Sequence, residues 1–178
     1  VYYLDKVTTP FNGEYVITYD KYNAIRYAEL FDGYSIMGYE FCKAVKFQEL
    51  GSAYTKNMVL KYGIDYFDNK PPIIGECDIY EGNNPSETSF IKHTNMLFAR
   101  YSNSIDKDSS YLKMQTVYGQ DGKTLSQHVV DIYDTSLEVP TRVIDKTGNR
   151  NTIEEFRYDN WGNIIWQQNL ATKVEVYY

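Results

Sequence analysis

Apolar and polar residues alternate along most of this chain in runs of a strand's length, and each run stops at a group of turn-forming residues. Such runs are "EYVITYD" at 14–20, "YEFCKAVKF" at 39–47, "HVVDIYD" at 128–134, "TRVID" at 141–145 and "EEFRYD" at 154–159. Between the runs stand Asn12-Gly13, Asp32-Gly33, Gly51-Ser52, Asn69 to Pro72, Glu81 to Pro85, Asp106 to Ser109, Asp121-Gly122, Thr147-Gly148-Asn149 and Asn160-Trp161-Gly162. These residues supply the positive φ, the fixed φ and the local side-chain acceptors that tight turns require. The pattern predicts an all-β chain of antiparallel strands joined by short hairpins. One stretch, "SETSFIKHTNMLFARYSNSI" at 86–105, also fits a helix, with Ser86 and Glu87 at its start and Ile91, Asn95 and Phe98 near helical spacing. A strand is preferred there, because β-rich neighbours on both sides need pairing partners.

No Gly/Ser linker, polybasic run or shift in composition divides the chain, so residues 1–178 read as one continuous β region, loosest near 102–110. The ends, "VYYLDKV" and "KVEVYY", look like strand interiors, and the chain is expected to be a piece of a longer one. Its nineteen Tyr, against eight Phe and two Trp, suit broad sheet surfaces that need an apolar ring and a polar tip together. A net charge of -6 disfavours nucleic acid as a partner. No apolar run is long enough for a transmembrane helix, and no signal peptide is visible. Cys42 and Cys77 stand without a nearby His pair, so they draw no zinc spacing and leave a disulfide and two thiols equally open.

Within the pattern one unit recurs. In "YDNWGNI" at 158–164, Asp159 suits the first position of a turn, its carboxylate accepting the N–H two residues on, and Gly162 suits the left-handed position that closes a bulged hairpin. Phe156 and Tyr158 precede the turn, and Ile164 and Trp166 follow it on the same alternation. "YDKYNAI" at 19–25 repeats Tyr19, Asp20 and Ile25, with Asn23 in the glycine's place. "FDNKPPI" at 67–73 keeps Phe67 and Asp68, and "YDTSLEV" at 133–139 keeps Tyr133 and Asp134. "YGQDGKT" at 118–124 keeps only the Tyr and the Gly.

These residues resemble the YD repeats of the RHS family, which includes bacterial RHS polymorphic toxins, the B component of Tc toxin complexes, SpvB-like virulence proteins and the teneurins. "DKTGNRNTIEEFRYDNWGNIIW" resembles a standard repeat unit. Gly38, Tyr39 and Phe41, then Lys70, Pro71 and Pro72, then Glu76 and Tyr80, resemble the divergent region that precedes the plain repeats in Tc toxin B components. The resemblance spans about residues 12 to 170. It implies a curved or spiralling sheet that forms part of a hollow shell around a C-terminal cargo polypeptide, in a secreted or cell-surface protein. The partners it implies are neighbouring repeats of the same chain or a second toxin subunit. No stretch matches the family's self-cleaving protease segment, so the resemblance carries over no catalytic residue, and no cofactor is expected.

Other chemistry is weaker. Ser126, His128 and Asp131 invite a nucleophilic reading, but they crowd one strand, and a structural or surface histidine is preferred; His93 reads the same way. Glu154 and Glu155 are neighbours that point apart, unlike a glycosidase pair. Asp106, Asp108 and Ser110 open like a calcium loop but lack its Gly and late Glu. The alternative function is an all-β carbohydrate-binding or adhesin module presenting Trp161 and Trp166, although packing of Trp161 over a neighbouring hairpin is preferred to sugar stacking.

Overall fold

The structure is a computed structural model of the chain and describes residues 6–8, 13–28, 33–49, 55–65, 73–102 and 108–178. Among the described residues, twelve strands follow one another, in chain order, as neighbours in one antiparallel sheet, as the alternation predicts. They are β1 (Lys6–Thr8), β2 (Gly13–Ala28), β3 (Gly33–Glu49), β4 (Thr55–Asp65), β5 (Ile73–Gly82), β6 (Lys92–Ser102), β7 (Asp108–Gly119), β8 (Thr124–Asp134), β9 (Val139–Thr147), β10 (Arg150–Tyr158), β11 (Ile164–Asn169) and β12 (Val174–Tyr177). Two compact units are distinguishable, Val1–Thr94 and Asn95–Tyr178. No helix of the described residues is long and apolar enough to cross a membrane.

In the first unit β2 and β3 pair along their whole length, from Gly13 opposite Glu49 to Ala28 opposite Gly33, with one bulge beside Thr18. Between β5 and β6, Ser86 and Ser89 exchange backbone hydrogen bonds of 2.7 and 3.2 Å. The residues that could have opened a helix therefore make a tight turn, and the strand reading holds from Lys92 onward. Side chains of this unit meet around Tyr80, which is 7% exposed. Its ring stacks on His93 at 4.4 Å, Phe90 lies 5.8 Å from Tyr80, and His93 Nε2 is 2.6 Å from an Asp78 carboxylate oxygen. Burial, then the Asp78 and Glu76 charges, pushes the Tyr80 phenol up. His93 is thus a structural histidine, held by ring stacking and one carboxylate.

In the second unit the register lays side chains in rows. Gln115, His128, Asp145 and Thr152 lie opposite one another across β7 to β10, and Val117, Ser126 and Thr147 form the next row on the same face. Val130 and Val143, also opposite each other, are buried on that face. Thr116 is buried on the other face, where the Gln127 amide donates to its hydroxyl at 3.2 Å. Among the described residues no side chain is fully enclosed. Within the unit a side chain on the sheet finds its partners sideways, which explains the tyrosines: Tyr111 stacks on Tyr133 at 3.9 Å with nearly parallel rings, and Tyr101 sits 5.5 Å from Tyr133. Burial, then the Tyr101 hydrogen bond, pushes the Tyr133 phenol up to about 12.

Candidate functional site

The recurring turn is the feature on which a functional reading rests, and its best-formed copy joins β10 to β11. Asp159 N donates to Asn163 O at 3.0 Å and Gly162 N to Asp159 O at 3.1 Å. One Asp159 carboxylate oxygen accepts the N–H groups of Trp161 at 2.8 Å and Asn163 at 2.9 Å, and the other accepts the Asn163 amide at 2.9 Å. Gly162 has φ 82°, where an L side chain is strained whatever the free space. The Asn163 amide first, then the backbone N–H groups, hold the Asp159 carboxyl below its usual range. Tyr158 anchors the strand entering the turn, its hydroxyl donating to Pro140 O at 2.6 Å, and burial pushes its phenol up.

The turn joining β7 to β8 has the same backbone. Gly119 N donates to Lys123 O at 2.9 Å, Gly122 N to Gly119 O at 2.9 Å, and Gly122 has φ 74°. Tyr118 lies opposite Thr124 as Tyr158 lies opposite Ile164, each next to a register shift. Here the carboxylate comes from Asp121, which accepts the Lys123 N–H at 3.0 Å. The segment with the fewest matching letters is thus the true equivalent of 158–164.

Other copies depart from that geometry. Tyr19, Asp20, Asn23 and Ile25 make no turn: they lie inside β2, opposite Cys42, Phe41, Gly38 and Ile36, so the turn expected there is corrected to continuous strand. Phe67 and Asp68 lie outside the described residues. Tyr133 and Asp134 end β8 at a loop one residue shorter, in which Asp134 accepts the N–H groups of Ser136 at 2.8 Å and Leu137 at 3.1 Å, while Glu138 takes φ 59°. A second copy of this loop, unnoticed in the sequence, joins β11 to β12: Asn169 accepts from Ala171 at 3.1 Å and Thr172 at 3.0 Å, and Lys173 takes φ 57°. Its signal was faint, an Asn four residues before a lysine, where the other copy has Asp before glutamate.

The two tryptophans do not form one platform. Trp161 stands at the turn tip and is 89% exposed, so the expected packing over a neighbouring hairpin is corrected. Trp166 is 8% exposed, with the Arg157 guanidinium 4.5 Å from its ring centre. A register shift beside Tyr158 places Trp166 opposite Arg157, out of the alternation that Ile164 continues.

Among the candidates for catalysis, Asp131 is 3.3 Å from the Arg142 guanidinium, and it is Asp145 on the next strand whose carboxylate lies 2.7 Å from His128 Nδ1. Sequence reasoning missed Asp145, because only the β8–β9 register brings it opposite the histidine. Glu154 accepts from Gln167 at 3.2 Å, whereas Glu155 lies 3.9 Å from Arg142, and the two point to opposite faces as expected. Asp108 opens β7, and Asp106 lies outside the described residues.

The fold and its turns define an all-β protein built as an antiparallel meander. No family model, no curated protein and no solved structure matches the chain.

Proposed function

We propose that the chain is a structural wall segment of a YD-repeat protein of the RHS kind, part of a β-sheet shell around a cargo polypeptide, with neighbouring repeats or a second toxin subunit as its partners and no catalytic role of its own. The observation that carries this reading is the pair of hairpins at 118–124 and 158–164, which share one bulged turn within a meander that follows chain order. Among the described residues no side chain is fully enclosed, which supports it too, since a wall exchanges a private core for contacts with what it encloses. Secretion or display at a cell surface belongs to the same reading. Small-angle scattering with molar mass tests it: an extended or self-associating particle is expected, and a monomer with a radius of gyration near about 16 Å, that of a closed domain of this length, would sink it.

A second reading, a carbohydrate-binding or adhesin module, is favoured by one observation, the 89% exposure of Trp161. Glycan-array binding lost in Trp161→Ala would promote it, and a silent array would remove it. Trp166→Ala is expected to act through stability, because that ring is buried beneath Arg157.

A further inference from the structure

We propose that the face of the sheet around His128 and Asp145 carries a binding site for a neutral ligand with adjacent hydroxyl groups, a polyol or the edge of a pyranose ring. A pocket of about 110 Å³ opens there, bordered by Gln115, Val117, Ser126, His128, Asp145 and Thr147. Gln127 and Lys146 border it through the main chain, since strand alternation turns their side chains away and the Gln127 amide bonds Thr116 on the other face. The volume matches a few waters or part of one small ring.

The chemistry of the lining selects the ligand. Asp145 accepts from His128 Nδ1 at 2.7 Å, which fixes the neutral ring in the tautomer whose Nε2 is an acceptor. The Gln115 amide and the Ser126 and Thr147 hydroxyls complete the set, each able both to donate and to accept. A ligand hydroxyl does the same, so of two adjacent hydroxyls one can give its proton to Nε2 while both exchange hydrogen bonds with the amide and the side-chain hydroxyls. Val117 offers methyl groups to the ligand's carbon skeleton. An anion would meet the Asp145 carboxylate, and no group of three His, Cys, Asp or Glu side chains converges on a metal among the described residues. The site is built from different residues than Trp161 and stands apart from both readings above.

The chain has only two histidines, so its imidazole proton spectrum offers a direct test. The chain 1–178 would be titrated with methyl pyranosides and with glycerol at constant pH, with His93→Gln assigning the signals. The expected result is a saturable shift of the His128 resonance with Kd on the order of 1–10 mM, while the His93 resonance stays in place. Gln115→Ala and Ser126→Ala should each weaken binding about fivefold, and Trp161→Ala should leave it unchanged. A preference for pyranosides would identify a glycan as the source of the hydroxyls, and equal binding of glycerol a free polyol. A static His128 signal, an unsaturable drift, an equal response to acetate or inorganic phosphate, or loss of binding in Trp161→Ala would overturn the proposal.

Discussion

Residues 19–25 and 118–124 make an instructive pair when both are set beside the turn at 158–164. The first shares Tyr, Asp, an aromatic and Ile with that turn, yet it runs straight through β2. The second shares only Tyr and Gly, yet it repeats the turn's backbone bonds and its positive φ. Glycine at the fifth place is what the two true turns have in common. It takes the left-handed conformation at no steric cost, whereas Asn23 would take it at some cost. A turn at Asn23 would also cut short the ladder that β2 and β3 hold from Gly13 to Ala28, and that ladder satisfies backbone groups a turn would leave to water. The carboxylate is a secondary requirement, and it can come from either of two positions in the loop, as Asp159 and Asp121 show.

Valine substitution should separate the three sites most widely. Gly162→Val and Gly122→Val each place a β-branched residue at positive φ, and each should cost about 2 kcal/mol. An added Cβ meets nothing within 4 Å at either glycine, so the loss is conformational and not steric. Asn23→Val sits in a strand and should change stability by no more than about 0.5 kcal/mol, with a gain as the favoured sign. Urea unfolding midpoints at constant slope read all three. An unfavourable Asn23→Val equal to Gly162→Val would restore the turn at 19–25.

A smaller effect is expected from the tyrosine that precedes the best-formed turn. Tyr158→Phe removes the donor to Pro140 O and should cost about 1 kcal/mol. The tyrosine is then an anchor between strands, and the turn itself should survive its loss. Unchanged backbone amide shifts at Asp159 to Asn163 in that variant would show as much.

The strands were legible in the sequence because alternation and turn residues are local signals, and β7 to β11 follow them closely. The candidate site was legible only in part. Asp159 and Gly162 act within a few residues, so their roles could be read in advance, whereas the Tyr158 bond to Pro140 O depends on the neighbouring strand. The partnership of His128 with Asp145 and the burial of Trp166 under Arg157 depend on register across strands, and register hinges on bulges beside Tyr158 and Val130 that alternation alone does not announce. Asn23 misled for a different reason: its local preference for a turn is weaker than the ladder that passes through it.

A finer comparison asks whether Gly119 can be converted to the Asp159 arrangement. A Cβ at Gly119 would stand 3.3 Å from an Asp121 carboxylate oxygen, so Gly119→Asp alone sets two carboxylates against each other. Combined with Asp121→Asn, it should reproduce the backbone part of the Asp159 cap, with Lys123 standing where Asn163 supplies its amide, and stabilise the chain by about 0.5 kcal/mol. A loss in the double variant would mean that the two turns, alike in backbone, differ in how they are capped.

The gentlest probe is acid. Asp159, Asp121 and Asp134 are all held below the usual carboxylate range, Asp159 chiefly by the Asn163 amide and Asp121 chiefly by the Lys123 N–H. A depressed folded-state value means that the unfolded chain binds more protons as pH falls. The stabilisation is therefore complete above the ordinary Asp value of about 3.9 and is lost as pH drops through the lower folded value. Asp159→Asn should flatten that acid limb in thermal midpoints measured from about pH 5 down to about pH 2, and Asp121→Asn should flatten it less. Salt then distinguishes the two turns. Asp121 also pairs with the Lys123 ammonium at 3.1 Å, an exposed contact that about 0.5 M salt screens, whereas the Asp159 carboxylate is held by amide and backbone donors that salt leaves largely intact. An acid limb that salt erases equally in both variants would mean that charge, and not the shared backbone, sets the acid response of these turns.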